Sequence, residues 1–142
     1  MLKNILLVKL KIKKAVSGIE WPKDNGMNKP VTFTLSGTGG TLPATKTVNV
    51  SDTSEHEFDE ITYTLADAGK TYTYKIAETT GFGGSNWTVS PSEVTATVTV
   101  GTDQGNGTLS AATVTYSSEN YTITNTYSET PAAPKIKVSK DD

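Results

Sequence analysis

Three polar residues occupy strand positions where the alternation of side chains predicts apolar residues. Lys14 continues the apolar face of the first predicted strand, Glu78 ends that of a tyrosine-rich middle strand, and Asn125 interrupts that of the last strand. A polar or charged group in a protein core costs several kcal/mol unless it is paired or neutralised. If the three residues lie together, each supplies the partner that the others need.

The functional groups of these residues can react with one another. Burial drives a lysine toward its neutral amine, which is a nucleophile. Burial also drives a glutamic acid toward its protonated form, which can donate a hydrogen bond to an amide oxygen. Attack of the Lys14 amine on the Asn125 carboxamide carbon, with loss of ammonia, would form a side-chain amide. Glu78 would polarise the carbonyl and shuttle protons. This self-modification turns over once and needs no cofactor.

Each residue taken alone also has an ordinary explanation. Lys14 can be an edge residue that reaches solvent, Glu78 a charge at a strand end, and Asn125 a turn former, because exposed charged residues are the rule. Within the lysine-rich first strand, the alternation favours Lys14 as the reactive residue. Lys11 and Lys13 belong to the opposite, solvated face.

The composition excludes several classes of function. The chain has 142 residues, which is the size of one domain, and it lacks cysteine, so disulfides and thiolate sites are excluded. A single histidine argues against a multi-histidine metal site and histidine-relay catalysis, and we predict no metal and no multi-turnover enzyme. The net charge of −2 provides no bulk attraction to nucleic acid. No apolar run approaches the ~20 residues of a membrane span.

Short alternating segments separated by turn signals run along the chain and predict strands. The clearest are residues 8–14, 31–35, 45–50, 71–78, 94–100, 109–116 and 121–127. Asn106–Gly107 is a strong hairpin signal. We predict an all-β antiparallel sandwich formed by residues 1–127. Residues 128–142 are predicted to be a linker and the start of a following module, since Ile136–Lys140 repeats the pattern of Leu10–Lys14.

Four segments resemble the pilin isopeptide-linkage domain of Gram-positive bacteria, the repeat of major pilins of the streptococcal T-antigen type. They are Leu10–Gly18, Val31–Leu35, Tyr72–Glu78 and Tyr121–Tyr127. The resemblance spans roughly residues 9–127 and implies a CnaB-like, reverse immunoglobulin-like fold. In that family a lysine on the first strand, a glutamate at the end of a tyrosine-rich strand and an asparagine on the final strand form the cross-link. By position these correspond to Lys14, Glu78 and Asn125.

The resemblance implies a structural cell-surface module, either a pilus shaft subunit or an adhesin stalk repeat, held by a Lys14–Asn125 isopeptide bond. It implies an extracellular, cell-wall-anchored location within a longer protein or pilus. The partners would be neighbouring modules or pilin subunits joined by sortase. Lys23, in the segment Trp21–Asn25, is the candidate for the sortase-linked lysine. The usual motif has tyrosine before the proline, so an ordinary loop is the alternative.

Two other functions remain open on the same sandwich. One is an adhesin domain that binds a host ligand through loops and exposed aromatic residues such as Trp21, Phe82 and Trp87. The other is a carbohydrate-binding accessory domain of a secreted enzyme, without a cross-link.

Overall fold

A computed structural model describes residues 5–129, which form short strands and two single-turn 3-10 helices, Leu65–Asp67 and Glu119–Tyr121. The strands are β1 (Leu6–Val8), β2 (Lys11–Ser17), β3 (Lys23–Asp24), β4 (Met27–Asn28), β5 (Val31–Gly37), β6 (Thr47–Val50), β7 (His56–Glu57), β8 (Ile61–Tyr63), β9 (Thr71–Thr80), β10 (Trp87–Ser90), β11 (Glu93–Thr99), β12 (Thr113–Tyr116) and β13 (Thr122–Tyr127). Nearly all of the predicted linker and following module, residues 128–142, lies outside the described residues. Within the described range, no helix has the length and apolar character needed to cross a membrane.

Two larger sheets enclose the core. One has the strand order β10-β13-β2-β7 and the other has the order β12-β11-β9-β5-β6, while β1 pairs with β8 and β3 with β4. A single cluster of buried apolar side chains includes residues from both larger sheets, among them Ile12, Ile123, Phe33 and Ile76. The predicted all-β sandwich is therefore confirmed.

The alternation of side chains determines which face of each strand is buried. In β5, Val31, Phe33 and Leu35 are buried, while the threonines between them are partly exposed. The neighbouring interior strand β11, which lies between β12 and β9, repeats this pattern, with Val94, Ala96 and Val98 inside. Threonine suits the outer face because its branched side chain favours the extended backbone and its hydroxyl reaches water. The threonine-rich composition therefore belongs to the outer surfaces of the sheets.

The first long strand and the last strand lie side by side and run parallel. In the β2–β13 ladder, Lys14 lies opposite Ile123 and Val16 lies opposite Asn125. The other pairs among the described strands are antiparallel, as predicted. A parallel pair needs a crossover connection, and here nearly the whole domain serves as that connection. The register brings Lys14 and Asn125 to the same inner face, diagonally across one ladder.

Candidate functional site

Lys14, Glu78 and Asn125 meet between the two sheets. The Lys14 Nζ atom lies 3.8 Å from Glu78 Oε1, and the Asn125 amide Nδ2 donates a 2.7 Å hydrogen bond to Glu78 Oε2. Lys14 and Asn125 come from the neighbouring strands β2 and β13, whereas Glu78 comes from β9 of the facing sheet. Lys14 and Asn125 are each 1% exposed, and the Glu78 side chain is 4% exposed. The structure therefore brings the three sequence-predicted residues into one buried cluster.

The Lys14 amine is held in an apolar environment. Burial lowers the pKa of Lys14 from 10.5 to about 8, and the negative charge of Glu78 opposes part of this shift. With that pKa, about a tenth of the amines are neutral at pH 7. Nζ donates a 2.9 Å hydrogen bond to the carbonyl oxygen of Ala15. A neutral amine can make this bond with one N–H and keep its lone pair for attack.

The Glu78 carboxyl group bridges the amine and the amide. Oε1 faces the amine and Oε2 accepts from the amide nitrogen, rather than contacting the amide oxygen. This arrangement is suited to moving a proton from the amine to the amide nitrogen. Within the described part of the chain, Glu78 Oε1 and Asn125 Oδ1 are buried without a hydrogen-bond partner. Unpaired buried acceptors are rare and costly in folded proteins, and Glu78 Oε1 is one that lies 3.8 Å from the Lys14 amine.

Four aromatic residues form what we call the aromatic cover: Trp21, Phe82, Trp87 and Tyr127. The ring centroids of Phe82 and Trp21 lie 5.2 and 5.9 Å from Lys14 Nζ. Phe82 packs edge-on against Trp21 and tilted against Trp87, which in turn contacts Tyr127. These rings contribute to the burial that disfavours the charged form of the amine.

The expectation that Phe82 is exposed for ligand binding is wrong, because Phe82 is only 6% exposed. Trp21 and Trp87 are half-buried and pack against the core. Phe82 follows β9 in a glycine-rich connection without periodicity, so the sequence offers no signal for its burial. Its packing against Trp87 and against Trp21, which is distant in the sequence, determines its position.

Gly81 is a site residue that the sequence does not single out. A Cβ atom at this position would lie 2.6 Å from Glu78 Oε2 and 3.9 Å from Asn125 Nδ2. Gly81, Gly83 and Gly84 together are typical of a turn. The sequence pattern therefore does not distinguish Gly81, which lies beside Glu78, from the other two glycines. Because Gly81 has no side chain, the Glu78 carboxyl group can occupy the space beside it.

Lys23 lies apart from this buried cluster, on the β3–β4 hairpin. It is exposed, and its Nζ donates a 3.0 Å hydrogen bond to Asn28 Oδ1. The same segment supplies Trp21 to the aromatic cover. The predicted sortase-linkage lysine is therefore accessible to solvent, whereas the amine of Lys14 is not.

A model of a known protein family matches most of this chain. The model of FctA, described as the Spy0128-like isopeptide-containing domain, matches residues 10–128. The match runs from just before β2 to just after β13 and contains Lys14, Glu78 and Asn125. A search of curated proteins found no match. The family match confirms the predicted resemblance to a Gram-positive pilin isopeptide domain.

Proposed function

This chain belongs to the FctA family of Spy0128-like isopeptide-containing domains, and from that premise we propose that Lys14 and Asn125 become joined by an intramolecular isopeptide bond. Membership in this family supports a structural module of the pilus type. The observation that carries the proposal is the buried contact of an amine, a carboxyl group and a carboxamide across the two sheets. Glu78 acts as the proton shuttle between the other two residues.

The reaction conserves atoms and protons without a cofactor. The neutral Lys14 Nζ attacks Asn125 Cγ, so that an N–C bond forms and the bond from Cγ to Nδ2 breaks. The Glu78 carboxylate takes one proton from the amine and then, after it turns its protonated oxygen toward the amide, delivers that same proton to Nδ2, which leaves as ammonia. Glu78 returns to its starting state, and the chain becomes lighter by the mass of one ammonia.

The bond would protect the module against unfolding and against force. It closes a loop of about 110 residues, for which the chain-entropy model gives about 5 kcal/mol of stabilisation. Because β2 and β13 are parallel neighbours, tension on the two ends of the chain acts along their shared ladder. A covalent link between these strands carries the tension and spares the hydrogen bonds of the sandwich. This property suits a pilus shaft subunit or an adhesin stalk repeat.

The location and partners follow from this role. The module works outside the cell, within a pilus or a longer cell-wall-anchored protein, and its partners are neighbouring modules or pilin subunits. Lys23 is the proposed sortase-linked residue, supported by its exposed amine on the β3–β4 hairpin. In a sortase reaction with a second subunit, Lys23→Arg should abolish the linked product.

Intact mass spectrometry tests the cross-link directly. The unmodified chain should be lighter than its sequence by one ammonia, whereas Lys14→Met, Glu78→Gln and Asn125→Ala should each have the full sequence mass. Lys13→Met is the matched control, because Lys13 is the sequence neighbour of Lys14 but lies on the opposite face of β2, and this variant should still lose ammonia. A full-mass wild-type chain would refute the proposal.

A further inference from the structure

One lysine outside the reacting group is hydrogen-bonded to both residues whose rings lie over the Lys14 amine. Lys29, between β4 and β5, donates from Nζ to the carbonyl oxygen of Phe82 at 2.9 Å. Its own carbonyl oxygen accepts from the indole Nε1 of Trp21 at 2.7 Å. Its backbone N–H also donates to the carbonyl of Pro22 at 2.8 Å. A single residue thus ties the β9–β10 connection to the segment that carries Trp21.

We propose that Lys29 is a positioning residue for cross-link formation, which holds Phe82 and Trp21 over the amine of Lys14 and keeps water away from it. This inference rests on the proposed function, since it concerns the rate of that reaction. Lys29 does not touch the reacting atoms in the described structure. It acts through the two rings.

The segment that carries Phe82 needs such a tether. Gly81 precedes Phe82, and Gly83 and Gly84 follow it with φ values of 82° and 85°. Glycine backbones have the largest conformational freedom, so the local sequence does little to fix the ring. The hydrogen bond from Lys29 reaches the Phe82 carbonyl from a residue 53 positions away and fixes it there.

The side chain of Lys29 is suited to this task. It is half-buried, so its aliphatic stem lies along the protein while its ammonium group donates to a carbonyl. Methionine keeps much of the stem and loses the donor. Arginine keeps a cationic donor at the end of a long stem. These two substitutions separate the hydrogen bond from the packing.

Loosening the cover changes the reactivity of the amine. The charged group that faces Lys14 is Glu78 from β9, while Asn125 from β13, the Ala15 carbonyl and the rings of the cover are uncharged. If Phe82 is displaced, water reaches the Lys14 amine and solvates its charged form. The pKa of Lys14 then rises toward 10.5. Each pH unit by which the pKa of Lys14 rises lowers the neutral fraction of its amine near pH 7 about tenfold.

The experiment follows cross-linking in time at several pH values. Each chain is synthesised in a short cell-free pulse, transferred to buffers between pH 6.5 and 10, quenched in acid and weighed by intact mass. Lys29→Met should react about tenfold more slowly than wild type at pH 7, with a higher midpoint in its rate–pH profile and similar rates at pH 10. Lys29→Arg should restore most of the rate. Lys46→Met, which removes an exposed lysine, should match wild type.

Trp21→Phe provides a second variant if Lys29→Met does not fold by circular dichroism. It keeps a ring over the amine but loses the N–H that donates to Lys29, and it should show the same upward shift of the midpoint. The inference is overturned if the folded variant tested reacts with the wild-type rate and midpoint. It is equally overturned if the rate falls by one factor at every pH, since that indicates general destabilisation. A wild-type chain that retains its full mass would instead refute the proposed function.

Discussion

Replacing Gly81 with alanine should disable the cross-linking reaction while leaving the fold intact. Gly81 has no positive φ, so the backbone accepts alanine without strain. The new Cβ atom, however, would lie 2.6 Å from Glu78 Oε2, whereas ordinary contacts begin at 3.4 Å. The carboxyl group or the Gly81 segment must therefore move by about 0.8 Å to reach an ordinary contact distance.

This displacement is large relative to the hydrogen bond it disturbs. Glu78 Oε2 accepts from Asn125 Nδ2 at 2.7 Å, and a retreat of about 0.8 Å would bring the atoms near the limit of hydrogen bonding. A misplacement of about 1 Å at reacting groups can cost ~100-fold in rate. We therefore expect Gly81→Ala to cross-link about 100-fold more slowly than wild type.

The assay is the same timed intact-mass measurement, and Gly105→Ala is the matched control. Gly105 lies between β11 and β12, with a φ of 85° and open space where its Cβ would be. Alanine there costs roughly 1–2 kcal/mol of backbone strain without contacting Glu78. Gly105→Ala should therefore be less stable yet cross-link at the wild-type rate. A folded Gly81→Ala chain that cross-links as fast as wild type would refute the steric reasoning.

Two further predictions concern the chain that cannot cross-link, Asn125→Ala. The folded-state pKa of Lys14 near 8 lies below its unfolded value of 10.5, so the unfolded chain binds more protons between these values. In Asn125→Ala, the Lys14 contribution to the free energy of unfolding should rise by about 3 kcal/mol from pH 8 to 10.5, as measured by urea denaturation. In single-molecule pulling from the two termini, unfolding of Asn125→Ala should release about 110 residues, or roughly 400 Å of chain at ~3.6 Å per residue, whereas wild type should release none between Lys14 and Asn125.

Each of these two predictions, on pH-dependent stability and on extension under force, has its own control or contradicting outcome. The double variant Lys14→Met, Asn125→Ala retains every other titratable group of Asn125→Ala, so subtracting its pH dependence leaves the contribution of Lys14. If the two variants have the same pH dependence, burial of the amine does not penalise its charge. If wild-type chains extend under force as far as Asn125→Ala chains do, then no covalent bond joins β2 to β13.

The alternation of apolar and polar residues is a local property, so much of the fold could be predicted from it. Each strand of an extended chain buries every second side chain, which allowed β5, β9, β11 and β13 to be located along the chain. The same rule assigned Lys14, Glu78 and Asn125 to inward-facing positions. Residues in irregular segments have no such period, and the prediction of an exposed Phe82 is therefore wrong.

The sequence by itself determined which strands form, which faces they bury and which polar residues violate that pattern. Only the tertiary structure decided which residues become neighbours, because alternation specifies a face but not the strand that pairs with it or packs against it. The parallel register of β2 and β13, the reach of Glu78 from the opposite sheet and the tether from Lys29 all join segments distant in the chain. Their geometry depends on packing of the whole sandwich, and that packing turns three misplaced polar residues into one site.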